Sequence, residues 1–267
     1  MQYLYRLPSP CLRPWIAGFW GWRAKAHEVP SLRIFPSVYH EWVIHSGAPL
    51  HFCFPDHRVV APLMHIMGSH HHHFEIQATG PVSLFAIRFQ PGSLAHLLRA
   101  SPAQLNEPGV PLSILSRPWV AGAEAIQDTE AFSEQVQLAE RLLTDYFRAC
   151  QSEPLLESLR QAIHVGRGQR TIATLSPLVF SQRTLERRFL ADYGYSPKHY
   201  SRIVRLQELL RAQPTSLVDL ALTHGFSDQP HMYHEIKAMT GYTPRQWFQH
   251  QQQHLSLFYK TRAYSVF

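Results

Sequence analysis

The histidines, 18 of them, and the cysteines, 3 of them, are the residues of this 267-residue chain whose chemistry first asks for a use. His70, His71, His72 and His73 are consecutive, and imidazole is a common ligand for divalent metals. A cupin-type metal centre needs H-x-H, a glutamate three or four residues later, and a further histidine. Here Glu75 follows His73 with only Phe74 between them. Neighbouring residues of a strand face opposite ways, so the run fits a polar loop or strand edge, and no metal site is assigned. His40, Glu41 and His45 fall on an alternating, aromatic-rich strand and are expected to be ordinary hydrogen-bonded side chains; Trp15, Trp20 and Trp22 are expected to build core. Cys11, Cys53 and Cys150 are scattered and form no C-x-x-C pair. That excludes a disulfide framework and a cysteine zinc knuckle, and fits a reducing compartment. G-x-S-x-G, H-E-x-x-H, the P-loop and G-x-G-x-x-G are all absent. No catalytic residue and no cofactor are therefore assigned, and the chain is not expected to be an enzyme.

The arginines carry a different chemistry. Arg183, Glu186 and Arg187 stand at i, i+3 and i+4, which is one face of a helix, while Leu185 and Phe189 share another. A guanidinium can donate two bonds to guanine O6 and N7, and a carboxylate can accept one from cytosine N4. Met232 and Ile236 repeat the apolar pair 47 residues later and leave Gln229, His231 and His234 on the polar side. Arg188, Lys198, Arg202, Arg205 and Lys237 lie nearby, as cations that can meet a phosphate without reading a base. Charge divides the same way. Residues 1–166 carry 12 Lys+Arg against 13 Asp+Glu, and residues 167–267 carry 13 against 6, so the excess positive charge lies in the second part. A basic region joined to a neutral one is the composition of a polyanion binder with a second task.

Two kinds of element must position these groups. The first ~120 residues have short runs of Val, Ile, Phe, Tyr and Trp (RIFPSVYHEWVIHSG, LHFCFP, PVSLFAIRFQPG) bounded by Pro, Gly and Ser, and 14 of the 20 prolines. That predicts a β-sandwich or barrel with long connections. From Glu130 to Ala149 apolar residues recur at three- and four-residue steps, an amphipathic helix. Cys150–Pro154 breaks the pattern. From Leu155 to Gln253 the chain is helical at nearly every point, with turns at Gly166–Gly168, Gly194, Pro214, Gly225 and Gly241. The expected fold class is α+β: a β-rich domain over 1–149, a linker over 150–154, an all-α domain with two helix-turn-helix units over 155–253, and a tail over 254–267.

The helical part contains itself twice. Leu185–Phe189 followed by Gly194–Tyr195–Ser196–Pro197 matches Met232–Ile236 followed by Gly241–Tyr242–Thr243–Pro244, and Phe180–Ser181 matches Phe226–Ser227 with one extra residue in the second copy. Each copy reads as helix, tight turn, helix, then a G-Y-[ST]-P element whose Ser or Thr caps the next helix with Pro in its first turn. Through SQRTLERRFLADYGYSPKHY and DLALTHGFSDQPHMYHEIKAMTGYTPRQW, the region from Leu155 to Gln249 resembles the AraC/XylS-type bacterial transcriptional regulators. PSPCLRPWIAGFW and VSLFAIRFQPGSLAHLL resemble an uncharacterised β-rich domain that precedes such modules.

The resemblance implies two helix-turn-helix units joined by a long helix, about Pro197 to Arg211, each laying a recognition helix in the DNA major groove. By position, Arg183, Glu186, Arg187, Gln229, His231 and His234 match base-contacting residues of the family. The implied partners are double-stranded promoter DNA, RNA polymerase, a small-molecule effector and a second copy of the chain, in the cytoplasm at the nucleoid and without a membrane. Two departures stand out: Pro177 and Val179 in the first unit, and Pro230 at the start of the second recognition helix. The competing reading from a different class is a cupin-like metal-dependent enzyme fused to a helical domain.

Overall fold

The structure is a computed structural model that describes residues 2–25, 31–105, 108–151, 153–169, 181–212 and 216–254, with side chains described as far as residue 249. The strands are β1 (Gln2–Arg6), β2 (Ile16–Ala24), β3 (Leu32–Ile34), β4 (Glu41–Gly47), β5 (Leu50–Cys53), β6 (Arg58–Val60), β7 (Met64–Met67), β8 (Phe74–Ala78), β9 (Val82–Phe89) and β10 (Pro108–Pro111). Among the described residues they form two antiparallel sheets, one in the order β1-β2-β9-β4-β7-β10 and one in the order β3-β8-β5-β6.

Side-chain alternation along β9 explains the layering. Val82, Leu84 and Ala86 point to one face and join Trp20, Val43, Leu50, Phe52, Phe74 and Ile76 in a core that draws on both sheets. Phe85, Ile87 and Phe89 point the other way and meet the helices α1 (Ser93–Leu98), α2 (Arg117–Gln127) and α3 (Phe132–Arg148). The larger sheet is thus covered on both faces, which is why β9 is apolar almost throughout. The amphipathic helix expected from Glu130 to Ala149 is α3, which buries Val136, Ala139, Leu143 and Phe147 against that sheet.

The helical half comprises α4 (Pro154–Val165), α5 (Gln182–Tyr193), α6 (Pro197–Arg211), α7 (Leu217–Thr223), α8 (Gln229–Thr240) and α9 (Pro244–His254). Its core collects Leu159 and Ile163, Leu185 and Phe189, Tyr200 and Leu206, Leu220, Met232 and Ile236, and Trp247. Phe35, Val38 and Tyr39 of the N-terminal domain belong to that same core. The run RIFPSVYHEWVIHSG is therefore not one strand. Pro36 lacks the N–H a ladder needs, so pairing stops at Ile34 and resumes at Glu41. Of the six residues between them, Phe35, Val38 and Tyr39 pack into the helical core, while the His40 carbonyl accepts from the Phe89 amide at 3.0 Å. His40 lies in this connection rather than on a strand. Pro177, Val179, Phe180, Pro214 and the tail from residue 255 lie outside the described residues.

Candidate nucleic-acid interface

The two candidate recognition helices are built alike. Both are 12 residues long, α5 starting at Gln182 and α8 at Gln229. Ser181 caps α5 by accepting from the Thr184 amide at 3.3 Å, and Asp228 caps α8 by accepting from the His231 amide at 2.7 Å. Each ends on a glycine in the left-handed region, Gly194 at φ 77° and Gly241 at φ 73°, which closes the last turn. Ser196 then accepts from the His199 amide at 3.2 Å to start α6, with Pro197 in its first turn. Thr243 and Gln246 exchange two bonds to start α9, a capping box, with the Gln246 amide donating at 3.2 Å and the Thr243 amide at 2.9 Å. Both G-Y-[ST]-P elements thus do what their residue types require, and Pro230 sits in the first turn of α8, where a missing N–H costs nothing.

Leu185, Phe189, Met232 and Ile236 are buried, which turns the opposite faces outward. Arg183 and Arg187 are exposed on α5. Glu186 is half-buried and accepts from Gln182 Nε2 at 3.0 Å. On α8, His231 and His234 are exposed and Gln229 is half-buried. His231 is hydrogen-bonded to Ser227 Oγ at 3.0 Å.

The remaining cations divide into two groups. Lys198 and Lys237 are exposed. Arg188 donates to Glu153 at 2.8 Å and ties α5 to the start of α4. Arg202 and Arg205 both reach Glu235 of α8, Arg202 through Nε to Oε1 and Arg205 through Nη2 to Oε2 at 2.9 Å. Arg205 also lies over the Phe226 ring at 4.6 Å and donates to the Gly225 carbonyl at 3.3 Å. These contacts fasten the second helix-turn-helix unit to α6. Nothing local in the sequence announces them, because Glu153 and Glu235 lie 30 or more residues from the arginines they bind.

The four consecutive histidines lie where the two halves meet. His70 exchanges backbone bonds with the Tyr195 hydroxyl, accepting at 3.2 Å and donating at 2.9 Å. His71 Nδ1 lies 2.9 Å from His199 Nε2. His72 Nδ1 donates to the Ala238 carbonyl at 3.1 Å. A Cβ on Gly241 would strike the His73 ring, and one on Gly194 would strike Ser69. Burial pushes His40 down to about 4 and His199 down to about 3, and lowers His70 and His71 as well. Among the described residues no three His, Cys, Asp or Glu side chains come together as a metal site. His45 meets the Pro62 carbonyl at 3.1 Å and His40 meets Ser69 Oγ at 3.0 Å, ordinary partners for buried imidazoles. Trp20 and Trp22 are core residues, and Glu41 joins Arg88 at 2.6 Å inside the sandwich.

One larger groove lies away from this seam. It has a volume of about 620 Å³ between the ends of β2, β4 and β9 and the α2–α3 pair, with Arg23, His45, Ser46, Gln127 and Gln135 on its walls. Among the described residues no helix is long and apolar enough to cross a membrane.

Residues 178–250 match the family profile described as a helix-turn-helix domain, and residues 5–111 match that of a domain of unknown function, DUF6597. Solved structures of ToxT from Vibrio cholerae are similar at low identity. The P21 form shares 7% identity over 93% of this chain and 98% of that one, with a TM-score of 0.45. The form bound to (E)-4-(8-methylnaphthalen-1-yl)but-3-enoic acid shares 8% over 85% and 97%, with a TM-score of 0.46. No curated protein matches the chain by sequence. The C-terminal part of the chain is an AraC-type helix-turn-helix domain, the DNA-binding part of a transcription regulator, and the region ahead of it belongs to the DUF6597 domains.

Proposed function

We propose that the chain is a sequence-specific regulator that lays α5 and α8 into the major groove of promoter DNA, while the N-terminal domain senses an effector or holds a second copy. The observation that carries this reading is the equivalence of α5 and α8: equal length, equal capping, a buried apolar pair and an outward polar face on each. Arg183, Glu186 and Arg187 read bases from α5, and Gln229, His231 and His234 read them from α8. Lys198 and Lys237 meet phosphates. Arg188, Arg202 and Arg205 act from behind, by holding the helices in place through Glu153 and Glu235.

The division at 1–149, 150–154, 155–253 and 254–267 is part of the proposal. RNA polymerase is the protein partner it implies. The 620 Å³ groove is of the size that small-molecule ligands occupy, and we place the effector there. Selection of bound duplexes from a random pool by the full-length chain tests the reading. A recovered motif with two half-sites supports it, and recovery of unselected sequence at low salt contradicts base reading by these helices.

A further inference from the structure

Besides the Phe35–Tyr39 segment in the helical core, the N-terminal domain touches the DNA-binding half at two equivalent turns. The first is the turn that closes α5, where Tyr195 is bonded to His70, Gly194 packs on Ser69, and His71 meets His199 of α6. The second is the turn that closes α8. There Tyr242 lies under the Arg33 guanidinium at 4.1 Å, Gly241 packs on His73, and the Ala238 carbonyl accepts from His72. The two G-Y-[ST]-P turns end the two recognition helices, and one rigid sandwich grips both. Their polar faces stay outward, so the contact hides neither helix; it fixes one relative to the other.

We propose that the N-terminal domain is a two-point clamp that sets the separation of the recognition helices, and that the His71–His199 contact makes its grip on the first turn acid-labile. This rests on the DNA-binding reading only for its consequence, since the clamp itself is a contact within the chain.

The chemistry is that of an imidazole pair. One ring must donate and the other accept, so a doubly protonated pair has no acceptor left. A single added proton is disfavoured as well, because the site is crowded with positive charge. His72 flanks His71 on its own loop, and Arg202 approaches from α6 with Glu235 of α8 balancing it. The Tyr195 ring stacks on His199 at 5.4 Å and meets His71 edge-on at 5.6 Å, so His199 is half-buried while the outer side of His71 stays open to water. Burial comes first in holding His199 near 3, with His71, Arg202 and His72 adding to it.

A released histidine returns to its ordinary value of 6.5. The loosened state therefore binds more protons than the clamped one between pH 6.5 and about 3. The grip is unaffected above 6.5 and weakens steadily below it. Release of His199 contributes about tenfold between about pH 7.5 and 5.5, and release of His71, whose value is also lowered, adds to it in the same direction.

The test is amide hydrogen exchange on the full-length chain without DNA at about pH 7.5 and 5.5, corrected for the intrinsic pH dependence of exchange. Protection at His70, whose N–H is held by Tyr195, should fall by about tenfold or more at the lower pH, while amides of β9 keep theirs. In the His71→Gln, His199→Gln double variant, whose amides can bond to each other without titrating, the fall at His70 should vanish. Titration of the ring resonances of the unaltered chain is the check that needs no variant. His199 should stay neutral well below pH 6, and His71 should titrate below its ordinary value. Unchanged protection at His70, an equal fall in the double variant, or ordinary titration of the His199 ring would each overturn the proposal. With DNA, duplexes of varied half-site spacing should be discriminated at about pH 7.5 and less so at about pH 5.5. Comparing spacings rather than affinities removes any effect of His231 and His234 on the DNA-facing side. Absence of DNA binding at both pH values would defeat the regulator reading and leave the exchange result to decide the clamp.

Discussion

The helices α5 and α8 share a length, a register and a pair of caps, yet they present different chemistry. Arg183, Arg187 and Arg188 make α5 cationic, and only Arg188 is drawn off into a structural pair, with Glu153. The outward residues of α8 are Gln229, His231, His234 and a single cation, Lys237, while its acidic Glu235 absorbs two arginines of α6. One scaffold thus supports a strongly electrostatic reader and a nearly neutral one. The difference teaches that repetition of a fold unit fixes where side chains stand and leaves open what each copy contributes to affinity.

The largest effect should show whether the two units also weigh equally in stability. Phe189 is fully buried, stacks on Tyr193 at 4.2 Å and meets Tyr200 edge-on at 5.3 Å. Ile236 occupies the equivalent position in α8 with an aliphatic side chain. Phe189→Ala should cost ~3–5 kcal/mol, and Ile236→Ala a smaller amount within ~2–5 kcal/mol. Equilibrium denaturation of the full-length chain measures both. Because Phe35, Val38 and Tyr39 share this core, the loss at Phe189 should also loosen the N-terminal domain. Two separate transitions, with the sandwich unaffected, would show that the halves are energetically independent.

The next effect separates readers from anchors. Arg187→Ala should cost ~1–3 kcal/mol on the cognate duplex, concentrated at one or two base positions, if its guanidinium is bidentate to guanine. Gln229→Ala should lose a similar amount at a different position, within the half-site read by α8. A Gln bonds to adenine through a neutral amide, so its loss should leave the salt dependence unchanged. Uniform weakening across all sequences by Arg187→Ala would demote α5 to a phosphate binder and break the comparison at its strongest point.

How far these elements were legible depends on the range of the interactions that make them. Caps, apolar stripes and the G-Y-[ST]-P turns act within five residues, so α5 and α8 could be placed from the sequence by their turns and apolar pairs, and the family resemblance supplied the extent of α6. The alternation that separates the two faces of β9 is equally local. Arg188, Arg202 and Arg205 looked like phosphate ligands because a free arginine and a paired one have the same sequence signature until the partner's position is known. Phe35–Tyr39 looked like strand because its residue types favour one; only the helical core that receives it explains why they are apolar. The histidine run was readable as a polar loop, and its facing partner His199 was not, since 128 residues separate it from His71.

A smaller effect concerns the caps. Ser181→Ala and Asp228→Ala each remove one side-chain bond to a first-turn amide, and each should cost ~1 kcal/mol of stability. Asp228 adds a negative charge at the positive end of α8, so its loss should be the larger by a few tenths of a kcal/mol at low salt, and the gap should close as salt rises. If α8 enters the groove as proposed, the same charge repels phosphate. Asp228→Asn keeps the cap and should therefore raise DNA affinity slightly, whereas Ser181→Ala should not. Equal responses of both units to salt would remove charge from the account of their difference.

The smallest effect tests whether the two units approach the backbone in the same way. Lys198 follows the first G-Y-S-P and Arg245 follows the second G-Y-T-P, at equivalent positions, and both are exposed. Each stands in the first turn of the helix after its recognition helix, where a cation gains little from the helix itself because the N-terminal dipole is positive. A polyanion is the partner that would make such a position useful. If each meets one phosphate, Lys198→Ala and Arg245→Ala should weaken cognate and scrambled duplexes by the same factor. Each should also make the log–log salt slope shallower by ~0.9, because one fewer counterion is released. Binding isotherms at several salt concentrations, for both variants and both duplexes, give the slopes directly. Equal changes would mean that the repeated turn is also a repeated phosphate contact, so that the two units differ only in the bases they read. A change confined to Lys198 would mean that α8 enters its groove tilted away from the backbone. The Glu235 pairing with Arg202 and Arg205 would then be the feature that sets the tilt, because it binds α8 to α6, whereas the equivalent position of α5, Arg188, is paired with Glu153 at the start of α4.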